Sequence, residues 1–155
     1  MTFSNKALSL TIPFSKIKKV KNIIPGKCVS LAQAKALCPD ADVIINTCLF
    51  DMNNGTIISQ VVADGVRYGS GDSWSHTWGI GFKESRIPTL TWDNGINAAE
   101  FIGPYSSAVF DSTISDGKNE SYKRGRTALG ITKDSLVVLC TGDGTTDILS
   151  TRQVC

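Results

Sequence analysis

The sequence lacks any apolar run long enough to cross a lipid bilayer. The stretch ALSLTIPF near its start is too short for a signal peptide and carries no cleavage-site pattern. We therefore expect no membrane span. The compartment stays open, with a cytoplasmic location as the default expectation.

Net charge is also small. The 16 basic and 14 acidic side chains give a formal charge of +2, which argues against a protein dedicated to nucleic-acid duplexes. The chain has a single histidine, His76, and no GxSxG motif, so a catalytic triad is disfavoured. It also contains no phosphate-cradling P-loop.

Acidic residues are missing from the first part of the chain, where Asp40 is the first carboxylate. The lysines that precede it are Lys6, Lys16, Lys18, Lys19, Lys21, Lys27 and Lys35. One interpretation is a strand edge kept soluble by lysines. The other is a surface that attracts anionic polymers, such as phosphate-bearing glycans.

Cysteine is scarce, and its spacing forms no metal motif. The five cysteines are an odd number without a CxxC pair, so a zinc site is unsupported. Cys48 and Cys140 lie in apolar runs and are predicted to be small buried residues. Cys28 and Cys38 flank a predicted helix and could be bridged, a point that the sequence leaves open.

The length and composition of the chain are typical of one globular domain. Its 155 residues are 41% hydrophobic and 19% charged, which predicts a single domain over residues 1–155. We expect basic strands over residues 1–29 and the core over residues 30–155. Many short strands with a few short helices predict an α+β fold with mixed, mostly antiparallel sheet layers.

Periodicity and turn residues assign the individual segments. Strands are predicted in KALSLTIPF, KIKKVKNII, ADVIIN, TIISQVVADG, VRYGSG, TWGIGF, IPTLTWD, SAVFDSTISDG, RTALGIT and DSLVVLCT. Hairpin turns are predicted at residues 64–65 and 133–134. Ser30 is a good N-cap for a short helix, LAQAKALC, that Pro39 ends, and INAAEFIG is predicted to form one helical turn.

Three polar residues stand at the ends of predicted buried strands, where binding groups collect in many proteins. Asn46 ends ADVIIN, Arg126 opens the strand TALGIT, and Asp143 follows LVVLCT between two glycines. Glycines beside a carboxylate let a ligand approach the backbone closely. Each residue alone also fits an ordinary role, as a buried amide, a surface charge or a turn aspartate.

Taken in order, the segments ADVIINTCLFD, VVADG, SAVFDSTISDG and RGRTALGITKDSLVVLCTGDG resemble the phosphodiester glycosidase family from about Ser30 onward. That family has an Asn followed by two aromatic residues and an Asp, then an Arg-Thr-Ala-x-Gly strand, a hydrophobic strand and an Asp-Gly turn. The resemblance implies an enzyme that cleaves the glycosidic bond of a sugar-1-phosphodiester, such as one carrying N-acetylglucosamine.

The resemblance also implies roles for individual residues. Arg126 would bind the phosphodiester, whose oxygen pair suits a guanidinium fork. Asp143 would act in acid–base or electrostatic catalysis, and Asp51 is a second carboxylate candidate, with a loop-capping role as the alternative. The expected substrate-binding residues are Asn46, Phe50, Thr127, Gly144, His76 and Trp74. For the tryptophan and histidine the alternatives are core packing and a surface position.

A metal or other cofactor is not expected. The carboxylates Asp51, Asp111 and Asp143 follow no known cation-binding loop pattern. Asp111 and Asp116 are interpreted as loop residues.

The chain departs from the family pattern twice. Leu49 stands where the family has one aromatic residue of its pair, which loses stacking area. The family also continues to an Asp-Gly-Gly-Gly-Ser loop that is not present before Cys155. We therefore expect a homo-oligomer, or a complementing C-terminal chain, to cover the sheet that this segment would complete.

Three functions remain open from the sequence. The first is a hydrolase, or the incomplete body of one, whose substrate is a phosphorylated cell-wall or capsule glycan or a nucleotide-like sugar phosphodiester, as in a phage or bacterial protein. The second is a non-catalytic module that binds a phosphosugar or nucleotide. The third is an interaction protein whose contact surface is the basic N-terminal region.

Overall fold

The computed structural model describes residues 2–3, 7–47, 50–51, 53–69, 79–83, 88–91, 98–103, 109–110, 113–114 and 124–146. At residues 2–3, 7, 90–91, 109–110, 113–114, 124–126 and 142–146 it describes the backbone alone. The strands in these residues are β1 (Thr2–Phe3), β2 (Ala7–Pro13), β3 (Val61–Ala63), β4 (Val66–Tyr68), β5 (Gly79–Phe82), β6 (Pro88–Thr91), β7 (Glu100–Ile102), β8 (Val109–Phe110), β9 (Thr113–Ile114), β10 (Arg124–Ile131) and β11 (Ser135–Thr146). A 3-10 turn covers Phe14–Lys16, and the helix α1 covers Leu31–Leu37.

The first sheet has the strand order β1-β2-β11-β10, with every neighbouring pair antiparallel. Directly opposed residues share a face of a sheet, so the register defines the two faces. Leu129 of β10 opposes Val138 of β11, which opposes Leu10 of β2. This apolar row continues with Ile131, Leu136 and Ile12, so one face of the sheet is hydrophobic along its length.

The predicted hairpin between β10 and β11 is confirmed. Ile131 pairs with Leu136, and the amide of Thr132 donates to the carbonyl of Ser135 at 2.9 Å across a Lys-Asp turn. The Thr132 hydroxyl oxygen accepts from the amide of Ser135 at 3.0 Å, which ties the turn from inside.

The second sheet has the order β4-β3-β7-β5-β6 and is also antiparallel throughout its described pairings. Its β3–β4 hairpin turns at Asp64 and Gly65, whose φ angles are 49° and 77°. Two successive residues with positive φ define the type I′ turn that Asp-Gly favours, as the sequence predicts. A separate two-stranded ladder joins β8 and β9.

The core lies where the two sheets meet. Ile80, Phe82 and Ile102 of the second sheet form a buried cluster. Leu129 and Ile131 of β10 pack on this cluster together with Val20. Burial of apolar area at about 25 cal/mol per Å² is the main force that holds such layers together. The antiparallel sheets and the single described helix confirm the predicted α+β class.

The helix α1 begins and ends as predicted. The Ser30 hydroxyl accepts from the amide of Gln33 at 3.3 Å, and the Gln33 side chain accepts from the amide of Ser30 at 2.9 Å. This reciprocal capping box satisfies two N–H groups that the first turn leaves open. No residue of the helix is buried, however, and Leu31 is 71% exposed.

Three secondary-structure predictions are wrong. Residues 17–25 form no strand, because the amide and side chain of Asn22 bond across the second sheet instead of joining a ladder. Residues 41–47 form no buried strand, because Lys35 Nζ binds the carbonyls of Pro39 and Ala41 and holds the chain in a loop that leaves Val43 42% exposed. Residues 100–102 are not helical, because β7 has strand partners on both of its edges.

A buried polar cluster fixes residues 17–25 to the second sheet. Asn22 Nδ2 donates to the carbonyl oxygens of Val62 at 2.7 Å and Phe101 at 3.1 Å. Its backbone amide donates to Glu100 Oε2 at 2.8 Å, while the amide of Asp64 donates to Glu100 Oε1 at 3.1 Å. Asn22 is 7% and Glu100 5% exposed, so this cluster connects three segments inside the protein.

Candidate functional site

The backbones of Arg126 and Asp143 lie at the same end of the β10–β11 hairpin. Arg126 pairs with Thr141, and the next pair along the ladder is Arg124 with Thr146. A single residue of β10 therefore stands against residues 142–145 of β11, so the ladder is irregular at this point. Such bulges bend a strand and are common beside active sites.

The Gly-Asp-Gly segment differs from its prediction as a turn that follows the strand. Gly142, Asp143 and Gly144 belong to β11 itself, which runs on to Thr146. The side chains of Arg126 and Asp143 lie outside the described part of the structure, and so do Trp74 and His76. The same is true of Cys48, Leu49, Trp78, Trp92, Asp111 and Asp116.

The structure joins two of the predicted substrate-binding residues directly. Thr127 Oγ1 donates to Asn46 Oδ1 at 2.9 Å, across 81 residues of sequence. Thr127 is half-buried on β10, and Asn46 is exposed in the loop that follows the helix. The Asn-containing segment and the Arg-Thr-Ala-x-Gly strand are therefore neighbours in space.

Cys140 completes this polar group. It directly opposes Thr127 in the β10–β11 register, and its Sγ lies 3.9 Å from Thr127 Oγ1. Both residues lie on the hydrophobic face of the first sheet, two residues from the Leu129–Val138 pair of the core. We call Asn46, Thr127 and Cys140 the polar triplet. It marks the place where the apolar layer gives way to solvent.

Phe50 and Asp51 have local roles in the described residues. Phe50 forms an isolated bridge with Ile57, and the amide of Asp51 donates to the carbonyl of Thr56 at 2.8 Å. Asp51 Oδ1 accepts from the amide of Asn53 at 2.8 Å, which is the geometry of an Asx turn. This carboxylate therefore caps its own loop, the alternative that the sequence left open for it.

The cysteines and carboxylates of the described residues form no metal cluster. Cys28, Cys38 and Cys140 are free thiols, so no bridge joins Cys28 to Cys38. Cys28 lies instead beside the Asp51 loop, with its Sγ 3.7 Å from the Asp51 carbonyl oxygen.

The lysine-rich start of the chain is partly neutralised by internal contacts. Lys21 Nζ lies 3.0 Å from Asp64 Oδ2. The hydrogen bond that Lys21 donates to this carboxylate, together with the negative charge of Asp64, raises the pKa of Lys21 above its ordinary value of 10.5. Lys35 is held by two carbonyl groups, while Lys16, Lys19 and Lys27 are exposed.

The sequence reasoning missed the partnership of Cys140 with Thr127 and the burial of Glu100 and Asn22. The first could have been found from the hairpin, because a two-residue turn at 133–134 sets Thr127 opposite Cys140. The second had no local signal, since Glu100 follows two alanines in a run with helical propensity.

The described part of the chain contains no helix of the length and apolar character that crossing a bilayer requires. In comparisons with known proteins, the chain matches no family model, no curated protein and no solved structure. The resemblance to phosphodiester glycosidases therefore stays a prediction.

Proposed function

We propose that this protein binds a sugar-1-phosphodiester and hydrolyses its glycosidic bond. The bond between Asn46 and Thr127 is the observation that carries the proposal. It brings together two of the segments that carry the sequence resemblance, although these segments are far apart in the chain. The ligand class is a phosphorylated glycan.

The reaction requires one group that binds the phosphate and one that acts at the anomeric carbon of the sugar. Water adds to the anomeric carbon, the bond from that carbon to the phosphate oxygen breaks, and a free sugar and a phosphomonoester are released. In this proposal Arg126 binds the phosphate, which leaves with its negative charge stabilised. Asp143 accepts a proton from the attacking water or stabilises the positive charge that develops on the sugar.

The register of β10 and β11 brings the backbones of the proposed residues close together, with Arg126 and Thr127 alternating between the two faces of β10. Arg126 pairs with Thr141, and Asp143 lies two residues further along the same strand. Thr127, the neighbour of Arg126, contacts Asn46. Arg126, Thr127 and Asp143 therefore belong to one end of one hairpin, and Asn46 is joined to that end through Thr127.

A second function is favoured by the geometry of Asp51. The proposed reaction uses up to two carboxylates, and the Asp51 carboxylate is engaged in capping its own loop. With Asp51 capping its loop, Asp143 is the remaining carboxylate that the proposal assigns to catalysis, which fits a module that binds a phosphosugar without cleaving it. The same assay separates this alternative from the hydrolase.

The test uses N-acetylglucosamine-1-(4-nitrophenyl phosphate). Cleavage of the glycosidic bond releases 4-nitrophenyl phosphate, which gives colour only after a phosphatase is added. Cleavage of the phosphorus–oxygen bond to the aryl group gives colour at once, so the assay identifies which bond breaks. We expect colour that depends on the phosphatase.

Variants locate the activity. Arg126→Ala should lower kcat/KM about 100-fold, since charge-assisted hydrogen bonds are worth about 1.5–3 kcal/mol each. Asp143→Asn should lower kcat more than it raises KM. Matched controls are Arg67→Ala on β4 and Asp40→Asn after α1, which should retain activity. Thermal stabilisation by the substrate without turnover would support the binding module, and neither effect would refute both functions.

A further inference from the structure

The polar triplet fixes the direction in which the Asn46 amide faces. Its Oδ1 accepts the proton of Thr127 Oγ1 at 2.9 Å. Neither N–H of its Nδ2 has a partner among the residues that the structure describes, and the side chain is exposed. Within the described part of the chain, the amide therefore keeps two donors available, while its oxygen is engaged by Thr127 of the sheet.

Cys140 accounts for the direction of the Thr127 hydroxyl. A threonine hydroxyl has one proton to donate and two lone pairs that accept. The Cys140 thiol, 3.9 Å away, is positioned to donate to one of those lone pairs. The hydroxyl proton is then directed to Asn46, and the hydrogen bonds run in one direction, from Cys140 through Thr127 to Asn46.

We infer that Asn46 binds a non-bridging phosphoryl oxygen through Nδ2, and that Thr127 and Cys140 are positioning residues that do not contact the ligand. The inference rests on the proposed function for its choice of a phosphorylated ligand. It replaces the expectation that Thr127 binds substrate, and it decides between the phosphate and sugar roles of Asn46.

The choice of phosphate follows from hydrogen-bonding capacity. The non-bridging oxygens of a phosphate are acceptors without a proton of their own, so a phosphate needs only donors of the kind that Nδ2 keeps available. A sugar hydroxyl also carries a proton that needs an acceptor, and here the amide oxygen is turned away toward Thr127. Hydrogen bonds to an anionic oxygen are also roughly twice as strong as those between neutral groups.

Side-chain amide NMR signals provide the test, with inorganic phosphate and free N-acetylglucosamine as probes. Asn46→Asp identifies the Asn46 signal by its disappearance. Asn54 is an internal reference, because its Oδ1 also accepts a hydrogen bond, from the Thr56 amide, and it is also exposed. We expect phosphate to shift the Nδ2 signals of Asn46 but not those of Asn54, and the neutral sugar to leave both unchanged.

Variants at the other two positions test the positioning role. Thr127→Val should lower the heteronuclear NOE of the Asn46 amide, which reports its rigidity, and should weaken phosphate binding about tenfold. Thr127→Ser, which keeps the hydroxyl, should restore both. Cys140→Ala should weaken binding about two- to threefold. Thr11→Val, the same change at an exposed position of β2, should alter neither property.

Each outcome bears on the inference separately from the enzyme assay. It is overturned if phosphate leaves the Asn46 signals in place, if the neutral sugar shifts them as strongly, or if Thr127→Val leaves rigidity and affinity unchanged. Phosphate binding that follows these rules without any cleavage of the phosphodiester would sustain the inference and refute the hydrolase.

Discussion

Replacing Glu100 by Gln tests whether a buried carboxylate fixes residues 17–25 to the second sheet. Glu100 is 5% exposed, and its two oxygens accept from two backbone amides, those of Asn22 and Asp64. Gln has nearly the same shape but only one acceptor oxygen. Whichever way the new amide turns, one of the two backbone N–H groups then faces an NH₂ group.

The expected cost follows from counting these bonds. A hydrogen bond to a charged group contributes about 1.5–3 kcal/mol, and a buried donor left without a partner costs about 1–3 kcal/mol. These two figures partly describe the same loss, so we expect Glu100→Gln to lower the free energy of unfolding by about 2–4 kcal/mol. For a chain of this length each kcal/mol corresponds to about 2–4 °C in Tm.

Urea unfolding at pH 7, followed by far-UV circular dichroism, gives the free energy directly. Asp64→Asn is the matched control, since it also removes one negative charge but retains the backbone amide that Glu100 accepts. Amide hydrogen exchange adds a local measurement. The amides of Asn22 and Asp64 should exchange slowly in the wild type and lose most of their protection in Glu100→Gln.

A free energy of unfolding for Glu100→Gln within about 0.5 kcal/mol of the wild type, the range usual for surface substitutions, would contradict this prediction. Unchanged protection of the two amides in the variant would contradict it as well. If Asp64→Asn lost as much stability as Glu100→Gln, the effect would come from the loss of a negative charge and not from the two hydrogen bonds.

Three further predictions use local features of the fold. Gly79→Ala should lower the free energy of unfolding by about 2–3 kcal/mol, because the new methyl group would collide with a buried ring and a backbone carbonyl. Gly65→Ala has open space around it and should lower this free energy by only about 1 kcal/mol, through backbone strain. Urea unfolding of both variants measures the difference. Ser30→Ala should weaken α1 by about 1 kcal/mol. The effect should be seen as faster amide exchange within the helix, with little change in global Tm, because no helical residue is buried. Lys21→Met should make Tm depend less on pH in the alkaline range. The pKa of Lys21 is raised in the folded protein, so the contribution of Lys21 to stability is complete below about pH 10.5 and is lost as pH rises through the folded pKa.

Local sequence signals predicted the elements whose stability is local. The Asp-Gly pair supplies two residues that tolerate positive φ, so the turn at Asp64 and Gly65 follows from the residue types. Ser30 with Gln33 forms a capping box from side chains three residues apart. The β10–β11 hairpin, too, depends on a short turn between two apolar runs.

The wrong predictions concern segments whose conformation is decided by distant partners. Glu100 follows alanines that favour a helix, but β7 is inserted between two other strands, and tertiary pairing overrides propensity. Residues 17–25 alternate like an edge strand, yet the hydrogen bonds of Asn22 within them go to residues far along the chain. Such pairings have no signature within a window of ten residues.

In the candidate site, too, the local features could be predicted from the sequence and the long-range contact could not. Asn46 and Thr127 could be proposed separately from their motifs, but their contact depends on the path of the loop after α1 and could not be predicted. Their geometry also differs in kind from that of the buried cluster. Asn22 is enclosed, and its Nδ2 donates to two backbone carbonyls, so its role in the fold is complete without a ligand.

Asn46 is the opposite case. Its oxygen is held by Thr127, its two N–H groups have no protein partner among the described residues, and the residue is exposed. A structural asparagine has no need of a fixed orientation at the surface, because water satisfies the amide in any rotamer. Fixing one orientation costs side-chain entropy, and the benefit of that cost is preorganisation for an acceptor that arrives from solution. The difference between an enclosed, fully bonded amide and an exposed, half-bonded one is the physical reason to seek the ligand at Asn46.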